Sequence, residues 1–155
     1  MELNDKWIIW SHGSNDSNWE NDSYKKIFEI NNLFDLKIMN DIINEDFFLQ
    51  NMIFMMKEGI FPTWEDVNNC DGCSGSFKIT NPLLWNDVVN ELSILNIFRD
   101  LSKVNEINGL SISSKKNFYI LKVWFKNNIT DISPIMKDIH PLISKRNCRL
   151  KKNIN

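Results

Sequence analysis

The chain has 155 residues, of which 43% are hydrophobic and 25% are charged, and its formal net charge is −2 at pH 7. This composition is typical of one globular domain and excludes collagen-like, coiled-coil and wholly disordered chains. It also excludes a uniformly basic surface for duplex nucleic acid, although the 18 basic residues allow a local basic patch.

The sequence shows no sign of export or of a membrane span. No apolar run approaches the ~18 residues that a span needs. Residues 1–7 (MELNDKW) carry acids where a secretory signal would have an apolar stretch. Three cysteines give no disulfide framework. We therefore expect a cytoplasmic, reduced, monomeric protein that contacts no membrane.

Strands and helices alternate along the first half of the chain. Residues 6–10 (KWIIW) are aromatic and β-branched and predict a strand, as do residues 24–30. Apolar side chains at helical spacing predict a helix over residues 33–43. The apolar run at residues 52–57 predicts a central strand. Residues 59–75 are rich in Asn, Gly and Pro and predict a long loop.

The second half continues the alternation. Residues 76–80 predict a strand, and Asn81-Pro82 predicts the start of the clearest helix, because Asn caps helices well and Pro suits the first turn. The apolar stripe of this helix comprises Leu84, Val88, Val89, Leu92, Leu95 and Phe98. Residues 109–114 and 118–125 predict paired strands, and residues 132–143 predict a third helix. This order predicts an α+β fold with an antiparallel sheet and helices on one face.

The predicted loop after the central strand carries the most informative chemistry. Trp64 is followed directly by Glu65 and Asp66. An indole face can stack on a base, and a carboxylate can accept two hydrogen bonds from the N1–H and N2–H₂ edge of guanine. The alternative interpretation is a core tryptophan beside a solvated acidic turn.

Residues 59–66 (GIFPTWED), followed by Asn69 and Gly72, resemble the signature of the eukaryotic translation initiation factor 4E family. Members of that family bind the 7-methylguanosine cap of mRNA. Further matches are Trp7, Trp10, Trp19, Trp85 and the spacing from Gly109 to Trp124. The resemblance covers roughly residues 3–140. It implies a curved, cupped-hand antiparallel sheet with three helices on its convex face.

The resemblance also implies roles for four residues of the binding site. Trp19 and Trp64 would hold the methylated guanine between two indole faces, each contributing about 1–3 kcal/mol by stacking. The positive charge of the base would add a cation–π contribution of about 0.5–2 kcal/mol. Glu65 would bind the guanine edge, and Trp124 would contact the N7-methyl group. Trp7, Trp10 and Trp85 are assigned to packing.

Basic residues near the end of the resemblance imply a phosphate site. Lys115 matches the family's phosphate-binding Arg, and Asn117 matches a further basic position. Lys116, Lys122 or the basic tail could compensate for the missing charge. The alternative is that Lys115 and Lys116 belong to a solvated hairpin turn.

The predicted domain covers residues 1–144, and residues 145–155 form a basic C-terminal tail. The tail is interpreted either as disordered and solvated or as a contact for downstream phosphates of the RNA. Its cations are Lys145, Arg146, Arg149, Lys151 and Lys152.

The partner surface of the family is altered in this sequence. Leu36, or its neighbour Phe34, matches a helical Trp that docks the scaffold initiation factor, and Asn86 and Asn90 match leucines of the same platform. We therefore expect capped mRNA as the ligand and a scaffold factor only through a non-standard convex surface. A cap-binding repressor or decoy is the first alternative function.

A different class of function rests on Cys70-x-x-Cys73. Two thiolates at this spacing suit half of a zinc site, with Cys148, His12 and His140 as the remaining candidates. A redox pair is the related possibility. No catalytic constellation is recognisable, and we expect a non-enzymatic protein without cofactor or bound metal.

Overall fold

A seven-stranded antiparallel sheet forms the centre of the structure, a computed structural model that describes residues 2–93 and 106–153. The strands are β1 (Glu2–Gly13), β2 (Lys25–Asn32), β3 (Asn51–Lys57), β4 (Cys73–Ile79), β5 (Ile107–Ser114), β6 (Tyr119–Phe125) and β7 (Arg149–Lys152). Side by side they follow the order β2-β1-β3-β5-β6-β4-β7.

The helices begin where asparagine side chains replace missing backbone partners. They are α1 (Leu33–Ile42), α2 (Glu45–Gln50) and α3 (Leu84–Ser93). Asn32 caps α1 by accepting from the Asp35 amide at 2.9 Å, and Asn44 caps α2 by accepting from the Phe47 amide at 3.0 Å. None of the helices in the described part of the chain is long and apolar enough to cross a membrane.

Strand alternation divides the sheet into two faces. The core face carries apolar residues that pack against the helices, among them Trp7, Ile9, Ile53, Met55, Leu121 and Val123. Trp85 of α3 is fully buried in this core, where its ring meets Phe48 of α2 edge-on at 6.3 Å. The opposite face, here called the open face, carries a smaller cluster of Phe54, Met56 and Trp124. The sheet therefore carries buried apolar side chains on both faces.

The predicted fold class is confirmed, and most predicted elements are present. Strand β1 is longer than the predicted residues 6–10, since it runs from Glu2 to Gly13. The predicted loop over residues 59–75 ends at Cys73, where β4 begins. Helix α2 was not predicted, because its six residues are too few to show a period. Leu95 and Phe98 of the predicted apolar stripe lie outside the described residues.

The prediction of a helix over residues 132–143 was wrong. The Ile139 amide donates to the Ile143 carbonyl at 3.0 Å, which is the reverse of the helical direction, and the Ile143 amide donates to His140 at 2.8 Å. Asp131 accepts from the Ser133 amide at 2.9 Å and forms a local turn. Ile132, Met136 and Ile143 are buried nevertheless. These residues are spaced as in a helix because they contact the core, although the segment itself is not helical.

Part of the segment assigned to a basic tail belongs to the sheet. Strand β7 pairs with β4, so that Lys152 lies opposite Cys73, Lys151 opposite Ser74 and Arg149 opposite Ser76. Beyond the strand, the Asn153 amide donates to the Gly72 carbonyl at 3.0 Å. The cations of β7 are therefore held at defined positions beside β4.

Gly72 is required at the start of β4 because another part of the backbone passes close to it. A Cβ at this position would collide with the carbonyl oxygens of Phe125 and Lys126. Gly72→Ala is expected to cost about 1–3 kcal/mol of the free energy of unfolding through overpacking. Urea unfolding measures this loss. Gly13→Ala is the control, because the added Cβ would lie 3.5 Å from its nearest neighbour, on Asp16. Equal stabilities for the two variants would contradict the prediction.

Candidate functional site

The loop between β3 and β4 presents two of the predicted site residues at its tip. The Asp66 amide donates to the Thr63 carbonyl at 3.3 Å and closes a turn, which places Trp64 and Glu65 at the two central positions. The Trp64 side chain is 51% exposed, and Glu65 is also exposed. Both side chains are therefore available to a ligand.

Buried polar residues fix the shape of this loop. Asn69 is only 1% exposed, and its Nδ2 donates to the carbonyls of Phe61 at 3.1 Å and Thr63 at 2.9 Å. Its Oδ1 accepts from Asn108 of β5 at 3.0 Å. Asp66 Oδ2 accepts from the Phe61 amide at 3.1 Å. From the sequence, Asp66 and Asn69 had no role beyond membership of the motif. In the structure their side chains hold the loop backbone in place.

The first of two cavities beside this loop is aromatic and acidic. It has a volume of about 480 Å³ and brings Trp19 and Glu65 together. Its lining consists of Trp19, Glu20, Asn21, Phe61, Thr63, Glu65 and Asp66. Three of these residues carry carboxylates and none is basic, so the cavity favours a cationic or hydrogen-bond-donating group.

Trp19 is held within a chain of aromatic rings that continues across the open face. Its indole stacks on His12 with a centroid distance of 3.8 Å and an interplanar angle of 2°. Tyr24 lies 6.3 Å from Trp19 and 5.6 Å from Phe54, and Phe54 lies 6.2 Å from Trp124. The pKa of Tyr24 is raised by burial and by the negative charge of Glu65. The rings thus connect the first cavity to Trp124.

The second cavity is aromatic and basic. It has a volume of about 490 Å³ and is lined by Trp64, Ser74, Lys122, Trp124, Lys151, Lys152 and Asn153. The indole N–H of Trp124 donates to Ser111 Oγ at 3.0 Å, which fixes the orientation of the ring. Trp64 borders this second cavity, whereas its neighbour Glu65 borders the first. The tip of one loop therefore contributes a side chain to each of the two cavities.

Sheet register brings the cations of the second cavity together. Ser74 of β4 lies opposite both Trp124 of β6 and Lys151 of β7, so the three side chains share the open face. Lys122 lies two residues before Trp124 on the same face. Its pKa is lowered by burial and by the positive charges of Lys115 and Lys151. These positive charges repel one another, and a bound anion would relieve that repulsion.

The lysines of the second cavity lack an acidic partner among the residues that the structure describes. Within residues 2–93 and 106–153, no carboxylate forms an ion pair with Lys122, Lys151 or Lys152. The concentration of positive charge beside two tryptophans is therefore uncompensated, as expected for a phosphate-binding surface.

The residues predicted to bind phosphate lie beside this cavity rather than in it. Lys115, Lys116 and Asn117 are exposed in the turn between β5 and β6, where the Lys115 amide donates to the Phe118 carbonyl at 2.8 Å. None of the three lines either cavity. Lys115 acts on the site only through its charge near Lys122. From the sequence, Lys122 and the basic tail were candidates only to replace a missing positive charge, because their positions near the site depend on strand register.

The predicted partner residues are less accessible than sequence analysis suggested. Leu36 is buried in the main core at 2% exposure, and the exposed aromatic residue of α1 is Phe34, at 70%. Asn86 and Asn90 of α3 are half-buried, and Asn90 Oδ1 accepts from Asn40 of α1 at 3.5 Å. Phe34 is therefore the residue near this position that a partner could contact.

Cys70 and Cys73 are free thiols that donate to different carbonyls, Cys70 to Val67 at 3.6 Å and Cys73 to Asn127 at 3.5 Å. Burial raises the pKa of Cys73, and burial together with Cys73 raises the pKa of Cys148 to about 11, so both remain protonated thiols at neutral pH. The described ranges contain no group of three or more His, Cys, Asp or Glu side chains that could hold a metal ion. His12 stacks on Trp19, and His140 accepts from the Leu142 amide at 3.0 Å.

Comparisons with known proteins give a consistent result. The family model described as eukaryotic initiation factor 4E matches residues 2–152. Eukaryotic translation initiation factor 4E of Candida albicans is 25% identical over 135 residues, which are 81% of this chain and 64% of the relative. The chain thus spans slightly less than two thirds of that relative's length.

Similar solved structures include Ascaris suum eIF4E-3 with m7G cap, at a TM-score of 0.76 and 20% identity over 97% of this chain and 90% of that one. The C. elegans eIF4E-3 complex with the 4E-binding protein Mextli and a cap analog has a TM-score of 0.70 and 20% identity over 81% of this chain and 74% of that one. These structures share the fold. Because the family model extends over almost the whole sequence, this chain belongs to the eukaryotic initiation factor 4E family.

Proposed function

We propose that this chain is a non-catalytic protein that binds the 7-methylguanosine 5′ cap of mRNA and acts in translation initiation in the cytoplasm. The observation that carries the proposal is a pair of aromatic cavities with opposite charge, one bordered by Trp64 and the other by its neighbour Glu65. The cap has a cationic base at one end and a triphosphate at the other. An acidic cavity beside a basic one is complementary to this ligand.

The first cavity suits the base. Methylation at N7 gives the guanine ring a delocalised positive charge, which is attracted by an indole face and by nearby carboxylates. Trp19 offers such a face, and Glu65 offers two acceptor oxygens for the N1–H and N2–H₂ groups. Hydrogen bonds to a charged acceptor contribute about 1.5–3 kcal/mol each.

Trp64 and Trp124 are proposed to complete the contacts to the base. Trp64 belongs to the same turn as Glu65, so a base bound to the carboxylate lies next to the Trp64 indole. The base would therefore sit beside the tip of the loop, with Trp19 on the side of the first cavity and Trp64 on the side of the second. Trp124 shares the second cavity with Trp64 and is placed to border the methyl group.

The second cavity suits the triphosphate. Lys122 and Lys151 project from neighbouring parts of the open face, and Lys152 joins them in the lining. Lysine binds phosphate as a point charge, without the two parallel hydrogen bonds that arginine forms. We therefore assign the main phosphate contacts to Lys122 and Lys151, with Lys115 and Lys116 contributing at longer range.

A protein partner is proposed to dock on α1 and α3. The C. elegans relative was solved with a 4E-binding protein, so partner binding is a property of that structural relative. On this chain Phe34 supplies an exposed aromatic side chain on α1. An apolar anchor of this kind is typical of binding hot spots.

Glu65→Gln is expected to raise the Kd for 7-methyl-GTP about 10- to 100-fold, because a charged acceptor of the guanine edge becomes a neutral amide. Quenching of intrinsic tryptophan fluorescence measures the Kd. Glu20→Gln is the control, since Glu20 lines the same cavity outside the motif, and we expect a change below about threefold. Equal losses in the two variants would mean that general negative charge, rather than edge recognition, explains the effect.

Lys122→Met is expected to weaken 7-methyl-GTP binding by about 1.5–3 kcal/mol and to leave binding of the 7-methylguanosine nucleoside almost unchanged. The pKa of Lys122 is lowered by burial and by Lys115 and Lys151, so its positive charge costs stability in the unliganded protein below that pKa. Its removal should therefore maintain or raise the Tm at neutral pH.

Isothermal titration calorimetry and thermal unfolding test both parts of this prediction. Lys116→Met is the matched comparison, because Lys116 lies in the exposed turn and lines neither cavity, and we expect a smaller loss of triphosphate binding than for Lys122→Met. Loss of nucleoside binding to the same extent as loss of triphosphate binding would contradict the assignment of Lys122.

The role in initiation is tested separately from binding. Adding the protein to a translation extract depleted of its own cap-binding factor should restore synthesis from a capped reporter and not from an uncapped one. Phe34→Asp should abolish this rescue without changing the Kd for 7-methyl-GTP, since Phe34 lies on α1 and lines neither cavity. Inhibition in an undepleted extract would instead support a repressor or decoy.

A further inference from the structure

A buried histidine lies behind the exposed tryptophan of the first cavity. His12 is 1% exposed, and its ring is parallel to the Trp19 indole at 3.8 Å. Trp19 is 53% exposed and lines the first cavity. One face of the indole is therefore covered by His12, which leaves the other for a ligand.

Both ring nitrogens of His12 contact backbone carbonyl oxygens. Nδ1 lies 2.9 Å from the Gly13 carbonyl, and Nε2 lies 2.6 Å from the Asn18 carbonyl. A carbonyl oxygen can only accept, and a neutral imidazole has only one N–H to donate. Two donor contacts therefore require the imidazolium form. In that form His12 ties the loop that carries Trp19 to the end of β1.

The charged and titratable groups nearest to His12 lie on this loop and on the neighbouring strands. The loop carries Asp16, whose Oδ1 accepts from the Asn18 amide at 2.9 Å, and Asp22, whose Oδ1 accepts from Asn18 Nδ2 at 3.2 Å. Glu20 lies on the same loop. The ring of Tyr24, the residue before β2, lies 5.1 Å from the His12 ring, and Glu65 acts on Tyr24 from the loop after β3. On β2 the nearest charged residue is Lys25, which pairs with Ser11. On β3 itself the residue paired with His12 is the uncharged Met52.

We propose that the protonation state of His12 sets how strongly the site prefers the cationic, N7-methylated base to neutral guanine, an inference that rests on the proposed cap-binding function. His12 and the base would occupy opposite faces of the same indole. An imidazolium on one face of the Trp19 indole interacts with its π-electrons and repels a second cation on the opposite face. Neutral guanine feels no such repulsion.

The ratio of two affinities isolates this effect from simple positioning. Methylated and unmethylated guanine both need Trp19 in place, so any change in the loop affects the two ligands alike. Only the charge of the base differs between them. Acidification that protonates His12 should therefore lower the preference for 7-methyl-GTP over GTP.

The experiment measures Kd for 7-methyl-GTP and for GTP at several pH values from about 5.5 to 8, at constant ionic strength, in the wild type and in His12→Phe. Phenylalanine preserves a flat ring behind Trp19 and cannot be protonated. Any titration of the ligand itself is common to both proteins, so its contribution cancels when the variants are compared. We expect the wild-type preference to rise about fivefold or more with pH relative to His12→Phe. Identical pH dependence in the two proteins would overturn the proposal.

A measurement on the wild type alone tests the proposal even if His12→Phe does not fold. Linkage requires that a ligand repelled by the imidazolium also promotes loss of its proton. NMR of the imidazole rings follows this directly, and the chain has only two histidines to distinguish. At about pH 6.5, near the ordinary midpoint of histidine, saturation with 7-methyl-GTP should lower the protonated fraction of His12 more than saturation with GTP does. Equal fractions with both ligands would also overturn the proposal.

The two levels of inference fail in different ways. If the wild type shows no preference for 7-methyl-GTP at any pH, the proposed cap-binding function fails. If the preference exists and has the same pH dependence in His12→Phe, cap binding stands and the role of His12 fails.

Discussion

Alternation of side chains along strand β6 is the constraint on which the rest of the structure depends. Leu121 and Val123 point into the core beneath the helices, while Lys122 and Trp124 point to the open face. A shift of one residue in register would exchange these sets, burying the lysine and exposing the aliphatic side chains. The same pairing that stabilises the fold therefore also positions the cation and the indole of the second cavity.

The proposed site separates opposite charges over a short distance, and a rigid loop maintains the separation. Glu65 borders the acidic cavity and Trp64 the basic one, although they are adjacent in the chain. Asn69 satisfies two carbonyls of this loop and is itself bound by Asn108 of the sheet. Buried polar groups that are fully hydrogen-bonded specify one conformation. The loop can therefore present both side chains without first being ordered by a ligand.

Local features of the fold and site were predictable from sequence, and features that depend on distant pairing were not. Alternating apolar residues indicated the central strands, and the Trp-Glu-Asp block indicated the loop, because each signal lies within a few consecutive residues. The apolar spacing of residues 132–143 was misleading, since contact with the core produced a helical period in an irregular segment. The place of Lys151 depends on the pairing of β7 with β4. The partner of His12 could not be inferred either, because Trp19 reaches it across a loop.

The position of β7 at the outer side of β4 has a consequence for solubility. Among the described strands it is one of the two outermost, and the other, β2, begins with Lys25 and Lys26. An outermost strand invites pairing with another chain unless charged side chains discourage it. The lysines of β7 that line the second cavity also occupy such an edge. A sequence change that neutralised them would remove the proposed phosphate-binding surface and a barrier to self-association in one step.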